Sequence, residues 1–434
     1  MKLSPYPKYK PSGVEWLGEV PEEWDICRLK YVSSVNDDVL GENTDPDFEM
    51  IYVDISGVDS LSGIQKKESI RFESAPSRAR RKVCNGDVIV STVRTYLRAI
   101  VPIVDPDDNL IVSTGFAVIR PKSKMDSSFA AYVLRAPYFV DSVVARSVGV
   151  SYPAINASDL LDLSIVLPQH TEQLTIAAFL DRETARIDAL IAKKLRQIEL
   201  LQEKRATLIS HVLTHGLNIN VQLKGSDVKW LGEIPAHWNV FRAKVVFCEV
   251  NERSKSGQEE LLTVSHITGV TRRSGKDVNM FMAETLEGYK KCDAGDLVIN
   301  TMWAWMGAMG MAMEDGIVSP SYNVYRFRKP KHDPRYYDLL FRTKRFISEV
   351  ICQSQGVWSS RLRLYPESFL EIRIPCPPLG EQRMMVEAIE RETGHFEILK
   401  QKIESSISTL REYRIALISA AVTGKIDVRK EALL

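Results

Sequence analysis

The 434-residue chain is poor in the sequence features that carry catalysis. It contains no G-x-G, so the glycine-rich turn that cradles S-adenosylmethionine or a dinucleotide is missing. It has no G-x-x-x-x-G-K-[ST], the loop that wraps the phosphates of ATP. No Asn/Asp-Pro-Pro-aromatic tetrapeptide of the amino-methyltransferase kind occurs, and no G-x-S-x-G nucleophile turn. Nor do acidic residues cluster with a lysine as in a metal nuclease. His211 and His215 stand four apart, a metal-ligand spacing. However, HVLTH lacks the internal glutamate of a zinc protease, and the matching stretch from Ala420 has no histidine, so the pair reads as surface or helix-end residues.

Other absences bound the class. No apolar run approaches the roughly 18 residues that span a membrane, and the N-terminus MKLSPYPKYKPSGVEW has no apolar core of a secretory signal. The six cysteines (Cys27, Cys84, Cys248, Cys292, Cys352, Cys376) include no C-x-x-C and read as buried free thiols of a cytoplasmic protein. Net charge is only +1, from 57 basic and 56 acidic residues, so any nucleic-acid contact must come from local clusters.

What the chain does have is a second copy of itself. VEWLGEVPEEW from Val14 returns as VKWLGEIPAHW from Val228, and NGDVIVSTVR from Asn85 as AGDLVINTMW from Ala294. SVGVSYPAI from Ser147 sits where SQGVWSSRL does from Ser354, and EQLTIAAFLDRET from Glu172 matches EQRMMVEAIERET from Glu381. Four matches in one order, each about 210 residues apart, mark a duplication whose period is too long for a solenoid. Each copy opens with a mixed segment, roughly 14–168 and 228–377. Short β-rich runs such as Asp87–Val93 and Leu163–Leu167 alternate there with turn residues, and helical stretches begin at Ser127 and Arg335. The pattern predicts an α/β domain with a twisted, largely antiparallel sheet.

A long helix follows in each copy. The first is expected after Pro168, with Thr171 as N-cap and Glu172 in the first turn, running to about Thr214 and stopping near Gly216. The second follows Pro377–Pro378 with Gly380 at the matching cap position and stops near Gly424, interrupted only by Gly394. About 40 helical residues span roughly 60 Å. The first carries Ile187, Leu190, Ile191, Leu195, Ile198, Leu201, Leu208 and Val212; the second carries Phe396, Ile403, Leu410 and Leu417 at heptad spacing, with Leu399 and Tyr413 between. So narrow an apolar stripe needs a partner helix. If a pseudo-two-fold axis relates the copies, these helices run antiparallel. The expected fold is α+β: two globular α/β domains (1–168 and 217–377), two long helices (169–216 and 378–424) pairing as an antiparallel coiled coil, and a tail, 425–434.

Four segments suit nucleic-acid contact. Arg78, Arg80, Arg81 and Lys82 form a basic run, read as a loop or helix face if it is not a contact surface. Arg94, Tyr96 and Arg98 follow. The second copy places Trp303, Trp305 and Met306 there instead, and alternation puts both tryptophans on one face of a strand. Farther on stand Arg146, Ser147, Ser151 and Tyr152 in one copy, and Gln353, Gln355, Trp358, Ser359, Arg361 and Arg363 in the other, around Gly149 and Gly356. Arginine suits guanine, glutamine suits adenine and serine suits phosphate. Different side chains at matched places on one scaffold are what two readers of different sequences would show.

The opening EWLGEVPEEW, its copy KWLGEIPAHW, the stretch QGVWSSRLRLYPESFLEIRIPCPPLGEQ and the ending ALISAAVTGKIDV resemble the DNA-specificity subunits of type I restriction–modification enzymes, in that family's order and over essentially the whole chain. The resemblance implies two target-recognition domains, each reading half of a split site in double-stranded DNA. It implies that the helices set the spacing and dock two methyltransferase subunits, and that restriction subunits join them. The partners would use S-adenosylmethionine, ATP and magnesium, and this chain would carry no cofactor and no catalysis. Two other classes remain open on the residues alone: a methyltransferase or nuclease that does its own chemistry, and a coiled-coil interaction protein without DNA.

Overall fold

In a computed structural model of the chain, residues 4–59, 63–274, 285–356 and 362–429 are described. The chain divides into two compact units. One comprises Met1–Lys194 with Ser405–Leu434, the other Leu195–Glu404. Each unit therefore holds one globular part, half of the first long helix and half of the second.

In the first unit, Val88–Ser91 is buried along its whole length, because VIVS is flanked on both sides by partner strands. It lies in an antiparallel sheet ordered Ile100–Pro102, Val88–Ser91, Phe116–Pro121, Ser33–Val35. A second sheet is ordered Glu68–Arg71, Glu49–Val53, Leu110–Ser113, Ala79–Lys82, with one parallel pairing, Leu110–Ser113 on Glu49–Val53. In the second unit, the matching strand Leu297–Asn300 is again wholly buried, in the order Phe247–Val250, Tyr322–Phe327, Leu297–Asn300, Met309–Met311. Helices Ser127–Val133 and Pro137–Ala145 pack on the first core, and Pro334–Phe341 and Lys344–Gln353 on the second. The stretch from Arg335 is thus two helices rather than one. It breaks at Arg342–Thr343, where the Thr343 hydroxyl accepts the Phe346 N–H and starts the second.

The duplication extends to individual hydrogen bonds. A strand followed by proline leads into each long helix: Ser164–Leu167 into His170–His215, and Arg373–Cys376 into Leu379–Val422. Both helices start a residue or two before the expected positions, so Thr171 and Gly380 lie inside the first turn and cap nothing. Instead, the second and third residues after the helix start reach back into the globular part. Glu172 accepts the indole N–H of Trp24 (3.1 Å) and the hydroxyl of Tyr6 (2.7 Å). Glu381 accepts the indole of Trp238 (2.8 Å). Gln173 accepts the Asp126 amide (2.8 Å) and donates to the Pro168 carbonyl (2.9 Å). Gln382 does the same with Asp333 and Pro377, at 2.8 Å each. A carboxylate in a helix's first turn also meets the positive end of its dipole.

Within each unit the two half-helices run antiparallel. In the first, Asp188 meets Arg414 (3.0 Å) while the chain beyond Gly424 reaches Glu172 through Arg429. In the second, Arg205 lies 3.8 Å from Glu397. The expected stripe lines this seam: Ile187 and Leu417 are buried, and Ile191, Ile198, Leu201, Leu208, Phe396, Ile403 and Leu410 are half-buried. Leu190, Leu195, Leu399 and Tyr413 are not part of it and face solvent. Gly394 does not interrupt its helix. The cysteines are free, but only Cys292 and Cys376 are buried, with the Cys376 thiol pushed up to about 11 by that burial; Cys84 and Cys352 are exposed. Among the described residues no helix is long and apolar enough to cross a membrane.

Two glycines, one inside the second helix and one just past its end, should respond oppositely to alanine. Gly394 has open space around it, so Gly394→Ala should raise the thermal midpoint, by an amount corresponding to about 0.8–1 kcal/mol of helix propensity. Gly424 ends the helix at φ +70°, where a Cβ would come within 2.3 Å of the Pro21 ring, so Gly424→Ala should cost about 1–3 kcal/mol. Equal shifts in a thermal melt would contradict the packing described for the helix end.

Candidate nucleic-acid interface

At the end of the buried central strand, each globular part brings two loops together with the same backbone frame. In the first, Thr92 follows Val88–Ser91, and its carbonyl accepts the Ile155 N–H (2.9 Å). In the second, Thr301 follows Leu297–Asn300, and its carbonyl accepts the Leu364 N–H (3.1 Å). A reciprocal pair of hydrogen bonds then closes the second loop in both: Val148 with Ala154 (2.8 and 3.0 Å), and Gln355 with Arg363 (2.9 Å each).

On this frame the first unit carries a tight turn at Thr95–Leu97. Arg94 and Arg98 flank it in the left-handed region, at φ 51° and 55°. Side chains rarely adopt that conformation, and holding each there costs on the order of 1 kcal/mol. Anchors below the turn hold it in place. Thr95 is buried; its hydroxyl donates to Ser147 Oγ (2.7 Å), which donates onward to the Val143 carbonyl (2.7 Å). The outer side is open: Tyr96, Leu97, Val148, Val150 and Tyr152 are all exposed, Val150 fully. The Arg94 guanidinium sits 5.2 Å from the centre of the Tyr152 ring, and Arg98 pairs with Asp141 at 2.9 Å. Arg146 and Ser151 are exposed on the same pair of loops. The sequence-selected residues Arg94, Tyr96, Arg98, Arg146, Ser151 and Tyr152 thus form one rim.

The basic run Arg78–Lys82 behaves differently. Ala79–Lys82 is a strand paired to Leu110–Ser113, not a loop or helix face. Arg78 is engaged by Asp54 (3.1 Å) and the Tyr52 hydroxyl (3.3 Å). Arg80 lies over the Phe72 ring at 4.6 Å. Arg81 is half-buried, and its pKa is lowered by desolvation; Lys82 is exposed. Arg78 and Arg80 thus also hold the fold together, while Arg78 and Lys82 keep exposed surface.

In the second unit, Trp303 and Trp305 do not share a strand face. The strand ends at Asn300; Trp303 precedes a turn at Ala304–Met306, and Trp305 lies within it. Trp303 is about half exposed, whereas Trp305 is half-buried, with its indole N–H on the Met302 carbonyl (3.0 Å). Gly307 closes the turn at φ 91°, and a Cβ there would meet Ile347 at 2.8 Å. Gln353 and Gln355 are exposed, the former bonded to Glu349 at 2.8 Å, and Arg363 is exposed at the base of the loop. Trp358 and Arg361 lie outside the described residues. Sequence reasoning passed over Leu97, Val148 and Val150, since a lone apolar residue in a loop looks like core until its exposure is known.

A family model for the type I restriction modification DNA specificity domain matches residues 52–200. The putative type I restriction enzyme MjaX specificity subunit of Methanocaldococcus jannaschii is 22% identical over 95% of this chain and 96% of its own length. The MjaVIII specificity subunit of the same organism is 22% identical over 94% of each chain, and the Escherichia coli EcoDI specificity subunit 19% over 70% of this chain and 71% of its own. Among solved structures, a chain from a study of assembly and conformational transition of the type I R-M system superposes with TM-score 0.65 at 22% identity, covering 94% of this chain and 99% of that one. The HsdS subunit from Thermoanaerobacter tengcongensis superposes with TM-score 0.52 at 22% identity, covering 94% and 98%.

The anchor beneath the first rim can be tested directly. Thr95→Val keeps the shape and removes one buried hydrogen bond worth about 1 kcal/mol, so amide exchange in the 94–98 turn should accelerate about fivefold. Exchange unchanged at those amides would show that the Thr95–Ser147 contact does not hold the turn.

Proposed function

Type I restriction–modification specificity subunits are what this chain resembles along nearly all of its length, and on that premise we propose that it is the DNA-recognition component of such an enzyme. It reads a two-part site in double-stranded DNA, one globular part per half-site, through the paired loops at 92–98 with 147–155 and at 301–307 with 354–364. The observation that carries this reading is one backbone frame presenting different side chains: Arg94 over Tyr152 in one unit, an outward Trp303 in the other. Cationic groups and exposed aromatics suit phosphates, base edges and base faces. Arg94, Tyr96, Arg98, Arg146, Ser151 and Tyr152 are assigned to one half-site; Trp303, Trp305, Gln353, Gln355, Trp358, Arg361 and Arg363 to the other. From the basic run, Lys82 is the residue best placed to reach a phosphate.

Chemistry is left to partners. Two methyltransferase subunits dock on the long helices and supply S-adenosylmethionine, and restriction subunits bring ATP and magnesium; this chain itself holds no cofactor. Exposed apolar side chains on the helices favour such docking: Leu190, Tyr413 and Ile415 in the first unit, Leu195, Leu200, Ile398 and Leu399 in the second. The assembly works in the cytoplasm.

Replacing residues 228–377 with the same region of a relative, and sequencing the methylated bases in cells that also carry the partner subunits, tests the reading. One half of the methylated motif should change, with the other half and the spacer kept. A change in both halves would argue against independent readers. Within the first half, Arg94→Ala should weaken binding by about 1–3 kcal/mol, roughly 5- to 150-fold, in a titration against the cognate duplex.

A further inference from the structure

The duplicated scaffold carries one feature in its second unit that the first does not share. Where the end of the first long helix faces the start of helix Lys344–Gln353, a cavity of about 780 Å³ opens, lined by Arg205, His211, His215, His266, Lys344 and Arg345. The other copy has Ala420 in place of His211, no residue in place of His215 because Thr423 is followed directly by the helix-ending Gly424, and Pro137 and Tyr138 in place of Lys344 and Arg345. The same fold forms there without them, so the cationic lining is not a structural requirement.

The arginine common to both copies shows what differs. In the first unit Arg414 is satisfied by Asp188, with three contacts of 3.0–3.3 Å. In the second, its match Arg205 comes no closer than 3.8 Å to Glu397, and its Nε is buried without a hydrogen-bond partner among the described residues. Arg205 therefore lines the cavity with no carboxylate at hydrogen-bond distance among the described residues to offset its charge. Arg342, also on the wall, is already held by Asp338 and the Ile267 carbonyl, and Glu203 is the acidic residue of the lining. Lys344 and Arg345 have no ion-pair partner among the described residues, and their backbone forms the first turn of a ten-residue helix whose dipole adds to the positive field. The rings of His211 and His215 stack at 4.6 Å. Burial first, then His211 and Arg345, hold the His215 imidazole below its usual range. Among the described residues, no three His, Cys, Asp or Glu side chains are arranged to hold a metal ion, and a neutral imidazole has one N–H to donate.

We propose that this cavity binds a tetrahedral oxyanion of the phosphate class, with Arg205, Lys344 and Arg345 supplying charge and the histidines supplying N–H donors. The group is carried either by a DNA backbone or by a small free anion, and the inference stands apart from which loops read bases.

The test follows the imidazole resonances of the full chain, labelled on its seven histidines, during titration with sodium sulfate at constant ionic strength. At least two of His211, His215 and His266 should shift and saturate, while His170, His237, His332 and His395 stay in place, and inorganic phosphate should repeat the pattern. Lys344→Gln with Arg345→Gln, both exposed positions, should weaken the saturating step at least tenfold without moving the unfolding midpoint. Adding a duplex of arbitrary sequence then separates the sources: displacement of sulfate identifies the DNA backbone, and no displacement identifies a free anion. Linear shifts spread over all seven rings, or an affinity unchanged in the double variant, would overturn the proposal.

Discussion

Each long helix leaves its globular part through a Glu-Gln pair whose side chains turn back into it. Glu172 and Glu381 put a carboxylate against a tryptophan indole, and Gln173 and Gln382 tie together the amide that starts a short helix and the carbonyl of the proline that follows a strand. A charge so placed is costly unless its acceptor sites are filled, so it fixes the direction of the helix more firmly than apolar contact alone would. The same indole also meets the far end of the other helix. Gly424 lies against Trp24 and Pro21, and Gly216 against Trp238 and Pro235. One tryptophan per unit thus anchors both the start of one long helix and the end of the other. That is why each unit is built from chain segments some 200 residues or more apart.

The sequence made the duplication, the long helices and the narrow seam legible, because these depend on period and on motif order, which survive without knowledge of contacts. The seam is half-buried for most of its length, as a stripe contacting a single partner should be, and it is fully buried at Ile187, Ile407 and Leu417. Details set by distant partners were not legible. Arg78 looks available until Asp54 and Tyr52 are found beside it. Trp303 and Trp305 alternate as strand residues do, but the ladder ends at Asn300, and a turn replaces it so that Gly307 can pass close to Ile347. The helix caps were misplaced for a related reason: the side chain that serves the first turn bonds to the globular part instead of to its own backbone.

The rims show where the two copies were free to diverge. Beneath them the bonding is duplicated: Asp87 holds Arg120 through two contacts of 2.9 Å, and Asp296 holds Arg326 through two of 2.9 and 2.8 Å. These pairs fasten the central strand to its neighbour in each sheet. The turns above sit on equivalent carbonyls yet solve the same reversal differently, with two arginines in left-handed conformation in one and a glycine in the other. Strain accepted at Arg94 and Arg98 makes little sense as a stabilising device, since glycine would relieve it. It makes sense if the side chains at those positions matter more than the cost of placing them.

The same reasoning separates scaffold from surface elsewhere in the molecule. At the helix starts the inward-bonding residues match in both copies, as with Trp24 and Trp238 or Gln173 and Gln382. Where a residue faces out, the match is free to differ in size, charge and polarity, as with Arg94 and Trp303. Internal comparison of two copies in one chain therefore does the work that comparison among relatives usually does. Both copies keep these bonds at the helix starts, so that part of the frame is held by what they share. What differs at its exposed edges is left to determine what each edge can touch.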